Sequence, residues 1–265
     1  PATLAQRIVR AKKKIREARI PYEVPEPRQL PERLPGVLRV IYLVFNEGYS
    51  RSDGESVTDM SLSDEAIRLA ENLAHLLPEG EVFGLLALML LHDSRRGARE
   101  DENGNLVTLE EQDRSLWNRS QIDRGMKWLE QALPLTPASP YTLQASIAAV
   151  HARAGDSNET DWRRISRLYA ALYRQHPSPV VALNHAVAVA MCDGPEAGLA
   201  LLDGLVGNKE ILSYHLFHAA RADLLRRAGD VDASTHAYQR ALALATQTPE
   251  RRFLERRLRE LSVPV

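Results

Sequence analysis

The stretch GDVDASTHAYQRAL, residues 229–242, decides the fold. Its first two residues form a turn, and the helix that follows carries small alanines at Ala233, Ala237 and Ala241 beside one large side chain, Tyr238. Small side chains let two helices approach closely, and a tyrosine between them fills the remaining space. Similar small-residue turns, Ala154-Gly155-Asp156 and Asp193-Gly194-Pro195, occur upstream, and the three glycines lie 39 and 35 residues apart. The sequence therefore predicts repeated helix pairs from about Met126 onward.

This unit closely resembles the first helix of a tetratricopeptide repeat (TPR). Arrays of such repeats have a period of about 34 residues, which is close to the spacing of the three glycines. Pro177 and Pro249 stand where the helices of such repeats turn. Two other repeats match less closely and supply large packing residues, namely Trp162, Tyr169 and Tyr173 in one and Leu199, Leu201 and Leu202 in the other. The resemblance implies TPR-like repeats, an α-solenoid, over residues 126–265.

The residues upstream of the repeats also have helical patterns, and residues 36–125 are expected to form a helical domain. Apolar periodicity or capping residues predict helices at Val37–Phe45, Ser63–Leu77, Glu81–His92, Leu109–Trp117 and Gln121–Leu133. The polar stretch between the third and fourth of these contains the turn sequence ENGN at residues 102–105, which allows a short β-hairpin near residues 98–108. The predicted fold class is all-α.

The first twenty residues differ from the rest of the chain in charge. They carry seven basic side chains and one acidic one, whereas the other 245 residues carry 27 basic and 34 acidic side chains. The net charge of the whole chain is −1. Leu4, Ile8, Ala11 and Ile15 share one face of a predicted helix, and Thr3 with Gln6 forms a capping box at its start. A basic helix on an acidic body is typical of a localised nucleic-acid contact, or of a solvated helix face.

Residues 21–35 separate this helix from the body. They contain five prolines, which disfavour a helix and predict a stiff, extended linker. The chain begins at Pro1 rather than at methionine, and its amphipathic pattern starts within three residues. An upstream segment that packs against the apolar face of the first helix is therefore expected.

Four segments together resemble a known family. Residues 2–16, ATLAQRIVRAKKKIR, are similar to the end of region 4 of bacterial sigma factors. Residues 37–49 (VLRVIYLVFNEGY), 85–99 (LLALMLLHDSRRGAR) and 112–117 (QDRSLW) resemble the domain that follows region 4 in sigma factors of the extracytoplasmic-function (ECF) type with a TPR-like extension. With the repeats, the resemblance covers essentially the whole chain, and residues 1–20 correspond to a remnant of the region 4 recognition helix.

The resemblance implies a role in transcription initiation. The first helix would recognise the −35 promoter element through a polar face that comprises Thr3, Gln6, Arg7, Arg10, Lys13 and Lys14. The implied partners are promoter DNA and core RNA polymerase, the latter bound through the missing N-terminal region. A different class of function remains open, in which the chain is an interaction module that binds a protein or peptide in a TPR-like groove without direct DNA recognition.

The resembling segments also contain a set of polar residues for which two interpretations remain open. These residues form either a hydrogen-bonded ion-pair network between helices or a docking surface for the missing sigma domains. The set comprises Asn46, Glu47, Asp93, Arg95, Arg96, Arg99, Asp113 and Arg114.

Other classes of protein are disfavoured. An enzyme built around Asp93 and Arg96 is a third hypothesis, but the sequence lacks a nucleophile elbow, a phosphate-binding loop and the histidine spacing of a metal site, so neither catalysis nor a cofactor is expected. The single cysteine, Cys192, excludes an intramolecular disulfide and favours a cytoplasmic protein. The longest apolar stretch, Val82–Leu91, is too short to span a membrane.

Overall fold

The computed structural model describes residues 13–14, 17–18, 25–49 and 60–262. The chain divides into two compact units, Pro1–Val37 and Leu38–Val265. The described residues form twelve α-helices and no β-strand, which confirms the all-α, solenoid-like fold. The helices are α1 (Leu30–Tyr49), α2 (Met60–Leu76), α3 (Gly80–Asp93), α4 (Arg119–Ala132), α5 (Pro140–Arg153), α6 (Trp162–Gln175), α7 (Pro179–Asp193), α8 (Pro195–Asp203), α9 (Lys209–Leu212), α10 (His215–Arg227), α11 (Val231–Leu244) and α12 (Thr248–Ser262).

The second half of the predicted linker is helical, so the expectation of an extended chain is wrong there. A 3₁₀ turn at Pro27–Gln29 leads directly into α1. Pro31 is the second residue of α1, where a backbone N–H has no intrahelical acceptor, so the ring is tolerated. Pro35 lies inside the helix and removes one backbone hydrogen bond. A proline near the start of a helix is compatible with that helix, so the number of prolines in a segment does not by itself predict an extended chain.

Helix α3 forms the centre of the N-terminal part of the second unit. Every residue from Val82 to Leu91 is buried, and α3 packs against α2, α4 and α5. A Cβ atom added to Gly84 would lie 2.7 Å from Thr142 Oγ1 and 3.0 Å from Thr142 N, so the absent side chain permits the close approach of α5. Helix α4 runs through the predicted boundary between residues 125 and 126.

The segment between α3 and α4 is irregular. The allowed hairpin is reduced to one antiparallel bridge between Glu100 and Leu106, across a turn in which Gly104 has a φ of 71°. The predicted helix over Leu109–Trp117 is wrong, because only a 3₁₀ turn forms, at Arg114–Leu116. The Asp113 carboxylate accepts a hydrogen bond from Ser115 N at 2.8 Å, and local bonds of this kind compete with a longer helix.

The repeat region consists of helices that pack mainly against their neighbours in sequence, as in a solenoid. The predicted turns join α7 to α8 at Gly194 and α10 to α11 at Gly229, and both glycines have positive φ angles, 101° and 84°. Asp230 caps α11 by accepting from Ala233 N at 3.0 Å. Tyr238 is 1% exposed and packs with Ala222 and Ala241, as the pattern predicts.

None of the helices in the described ranges combines the length and the apolar character that a membrane crossing requires.

Candidate functional site

Most of the predicted DNA-contacting residues lie outside the described part of the chain. Thr3, Gln6, Arg7 and Arg10 belong to this group. Lys13 and Lys14 are helical and exposed, and Lys13 Nζ lies 3.6 Å from the Glu17 carboxylate. Both lysines are therefore accessible to a phosphate, since an exposed lysine–glutamate pair at this spacing is weak.

The predicted set of polar residues forms separate groups, and the first surrounds Tyr49 at the end of α1. The Arg99 guanidinium lies 3.7 Å from the centre of the Tyr49 ring and donates a hydrogen bond to the Tyr49 carbonyl oxygen. Arg95 lies over the same ring at 5.5 Å, and His92 stacks on it with 5.4 Å between ring centres. Two cations on one aromatic ring fix the C-terminal end of α1 to the segment that follows α3.

Burial and the two arginines determine the charge of this group. Burial, with Arg95 and Arg99 adding to it, lowers the pKa of His92 to about 3. Burial also lowers the pKa of Arg99. His92 is therefore neutral at physiological pH and acts as an aromatic packing residue. Asn46 lies one turn before Tyr49 and hydrogen-bonds Tyr42, whose pKa burial raises to about 12.

The second group is an ion-pair cluster around Asp93, which is 1% exposed. Arg96 donates to both oxygens of the Asp93 carboxylate, through Nε at 2.9 Å and through Nη2. Gln121 of α4 donates to the same carboxylate at 2.6 Å, and Asp64 of α2 accepts from Arg96 at 2.5 Å. These bonds connect α2, α3 and α4 and satisfy a buried charge.

The third group surrounds Arg114, which is 5% exposed. Its Nη1 donates to the carbonyl oxygens of His151 at 2.7 Å and Ala154 at 2.9 Å, and its Nη2 donates to Thr160 Oγ1 at 3.1 Å. Its guanidinium also lies 5.0 Å from the centre of the Trp117 ring. Arg114 therefore holds the end of α5 against the irregular segment, and burial lowers its pKa.

The contacts described for this set thus lie at three places in the second unit. Asp93 and Arg96 share one cluster, Arg95 and Arg99 share the ring of Tyr49, and Arg114 binds the end of α5. Asp113, the neighbour of Arg114, is exposed and caps its own turn. These contacts are intramolecular and join helices, and the network and docking-surface hypotheses for the set both stay predictions.

Sequence reasoning missed a cavity of about 500 Å³ in the second unit. It lies between the irregular segment, the end of α5 and the helices α6, α7, α10, α11 and α12. Its wall is mainly apolar, with Trp162, Met191, Leu224 and Phe253, and three arginines line it, namely Arg114, Arg227 and Arg257. The lining residues lie between positions 108 and 257 of the sequence, so no local motif predicts the cavity.

Residues 108–110 line one edge of the cavity, and we call them, together with Glu111, the strap. Glu110 of the strap pairs with Arg227 of α10 at 2.5 Å, and Glu111 pairs with Arg257 at 2.7 Å and Arg256 at 3.2 Å. Burial raises the pKa of Glu111, but the hydrogen bond from Thr108 and the charges of Arg257 and Arg256 outweigh it, so the pKa lies below its ordinary value. The strap is therefore held to α10 and α12 by charge.

The fold and this cavity define an all-α, solenoid-like protein with a pocket lined by the strap, and two comparisons relate it to known sequences. Residues 33–133 match the model of a family of unknown function, DUF6596. The chain is also similar to the Uncharacterized protein R00370 of Rhizobium meliloti (strain 1021), with 45% identity over 262 residues. The match covers 98% of this chain and 62% of that relative, so the chain spans less than two thirds of the relative's length.

Proposed function

We propose that the chain is the C-terminal part of a bacterial sigma factor of the ECF type, which directs RNA polymerase to specific promoters. The observation that carries the proposal is the order of two features: a basic segment that resembles the end of sigma region 4, followed by an acidic helical body with a TPR-like pattern. The segments that resemble the following sigma domain also contribute to common contacts, since Tyr49 from the first meets Arg99 from the second.

In this proposal the first helix binds the −35 element. Gln6, Arg7 and Arg10 contact base edges and phosphates, Thr3 caps the helix at the DNA surface, and Lys13 and Lys14 neutralise phosphates. The acidic body is repelled by DNA, which restricts the contact to the first helix. Core RNA polymerase binds through the region upstream of this chain, and the complex acts in the cytoplasm.

The helical body supports or regulates initiation in this account. Transcription in vitro from a promoter obtained by selection with the full-length protein and core polymerase tests this role. The full-length protein is compared with a version that ends after residue 35 and therefore lacks the body. We expect promoter-specific transcripts from the full-length protein and an altered yield from the shortened version. Absence of promoter-specific transcripts with the full-length protein would refute the assignment, and equal yields would refute the role of the body.

The solenoid-like arrangement favours a second candidate function, an interaction module that binds a protein partner. Stacked helix pairs offer extended surfaces for partners, and this function needs no DNA contact. Unchanged promoter binding after replacement of Gln6, Arg7 and Arg10 would favour this candidate over the first.

A further inference from the structure

The cavity behind the strap has the size of a ligand site. Its volume of about 500 Å³ lies within the range of about 300–1,000 Å³ that is usual for pockets that enclose small molecules. It is formed within the second unit alone, by residues from six helices, the strap, the turn that carries Arg114 and the loop that precedes α6. Rigid helices therefore shape most of its wall.

Charge at the cavity edge indicates the chemistry of a ligand. Arg227 and Arg257 both line the cavity, and each already binds a carboxylate of the strap, from Glu110 and Glu111 respectively. The strap thus places carboxylates where the carboxylate of a ligand would bind. A ligand anion that binds both arginines would replace both glutamates, which lie on a short, irregular segment.

Three residues of the cavity wall also carry a buried nitrogen atom that is unpaired among the described residues. Arg114 is 5% exposed, and its Nε has no hydrogen-bond partner among the described residues. The same holds for Arg257 Nε and His151 Nδ1, and all three residues line the cavity. These atoms have almost no accessible surface, so they lie within the wall and take no part in the proposed contact with a ligand.

The remaining wall limits the ligand to one with an apolar body. Trp162, Met191 and Phe253 offer aromatic and thioether surface, and Leu224 adds an aliphatic side chain. Two carboxylates, Glu110 and Asp223, also line the cavity and would repel a ligand with several negative charges. The combination suits one anionic head on an apolar chain or ring.

We propose that this cavity binds a small amphipathic monocarboxylate. The carboxylate binds Arg227 and Arg257 in place of Glu110 and Glu111, and the apolar body lies against Trp162, Met191 and Phe253. Binding releases the strap from α10 and α12, so the occupied and empty proteins differ in the position of residues 108–111. This site does not depend on DNA recognition by the first helix.

Isothermal titration calorimetry with decanoate tests the proposal directly, with 1-decanol and decylammonium as probes of the same chain length. We expect saturable binding of decanoate, binding of decanol that is weaker by about tenfold or more because it lacks the charged hydrogen bonds, and no binding of decylammonium. Absence of decanoate binding, or equal affinity for decanoate and decanol, would overturn the proposal.

Two variants locate the site. Arg227→Gln removes one charged partner of the ligand and is expected to weaken decanoate binding by about tenfold. Glu110→Gln removes one of the competing carboxylates and is expected to strengthen binding severalfold, a gain that a loss of folding cannot imitate. Arg68→Gln and Glu65→Gln are matched controls, since this exposed pair lies on α2, which contributes no residue to the cavity. Affinity in Glu110→Gln that is equal to or lower than in the unaltered protein would contradict the proposal.

Discussion

Arg99 places its guanidinium 3.7 Å from the centre of the Tyr49 ring and donates a hydrogen bond to the carbonyl oxygen of the same residue. One side chain therefore binds both the ring and the backbone at the end of α1, while it is itself only 8% exposed. The contact joins two segments that are 50 residues apart in sequence.

Loss of this contact should destabilise the fold. Arg99→Met keeps a long side chain but removes the cation over the ring and the hydrogen bond to the Tyr49 carbonyl. We expect the free energy of unfolding to fall by about 2–4 kcal/mol, measured by urea denaturation. Arg68→Met removes an exposed arginine and is expected to change it by less than about 1 kcal/mol. Equal effects of the two substitutions would show that the Tyr49 contact does not stabilise the protein.

The two carboxylates that bind Arg96 should contribute very differently. Asp93 is buried and also accepts from Gln121, whereas the Asp64 side chain is 61% exposed. Asp93→Asn is expected to lower the free energy of unfolding by about 3–5 kcal/mol, because it leaves Arg96 partly buried without its main partner. Asp64→Asn should lower it by at most about 1 kcal/mol. Thermal and urea unfolding of both variants measure the difference, and a larger loss in Asp64→Asn would contradict this account.

Replacement of two helical glycines by alanine should change the stability of the protein in opposite directions. A Cβ at Gly84 would lie 3.0 Å from the Thr142 backbone nitrogen, so Gly84→Ala should force α3 and α5 apart and cost about 1–3 kcal/mol. Outside the helix's own backbone, no atom of the described residues lies within 4 Å of a Cβ at Gly36 in α1, so Gly36→Ala should be neutral or stabilising by up to about 1 kcal/mol. Helix content by circular dichroism and the unfolding midpoint check both, and a destabilised Gly36→Ala variant would not fit the described α1.

Two buried histidines predict loss of stability in mild acid. Burial lowers the pKa of His92 to about 3, and burial with Arg95 and Arg114 lowers that of His151 to about 4, both from 6.5. In mild acid these two histidines are protonated in the unfolded chain but stay neutral in the folded protein. Their contribution to the free energy of unfolding is therefore complete above pH 6.5 and is lost progressively as the pH falls from about 6.5 toward 4.

His151→Gln tests this prediction, because it removes one of the two groups and should flatten the dependence of the unfolding free energy on pH in that interval. His176→Gln, at an exposed position, is the control and should retain the full dependence. An identical pH dependence in both variants would contradict the assignment to His151.

The features that the sequence predicted correctly are those fixed by neighbours along the chain. Gly229 and Asp230 form a turn and a cap within five residues, and the spacing of Ala237, Tyr238 and Ala241 determines which face of α11 is buried. The irregular segment was predicted less well. Its turns depend on local hydrogen bonds, in which the Asp113 carboxylate accepts from Ser115 N and Thr108 Oγ1 donates to the Glu111 carboxylate, and such bonds produce no periodic pattern in the sequence.

The cavity and its strap could not be predicted for a different reason. Glu110 and Arg227 are 117 residues apart, and each is an ordinary charged residue in its local context. Only the packing of α10 and α12 beside the irregular segment brings these charges together. The polar set around Asp93 and Arg99 was found through the family resemblance, but its division into separate groups depends on the same long-range packing.

The central claim, that the first helix recognises promoter DNA, is tested most directly by the affinity of the full-length protein, bound to core RNA polymerase, for a fluorescent duplex obtained by selection around the −35 position. The test variant carries Gln6→Ala, Arg7→Ala and Arg10→Ala. The matched control carries Gln131→Ala, Arg163→Ala and Arg174→Ala, which removes the same side chains from exposed positions on the body. The account predicts an affinity lower by about 100-fold or more in the test variant, from contacts of about 1–3 kcal/mol each, and no change in the control. Equal affinity of the two variants would contradict it.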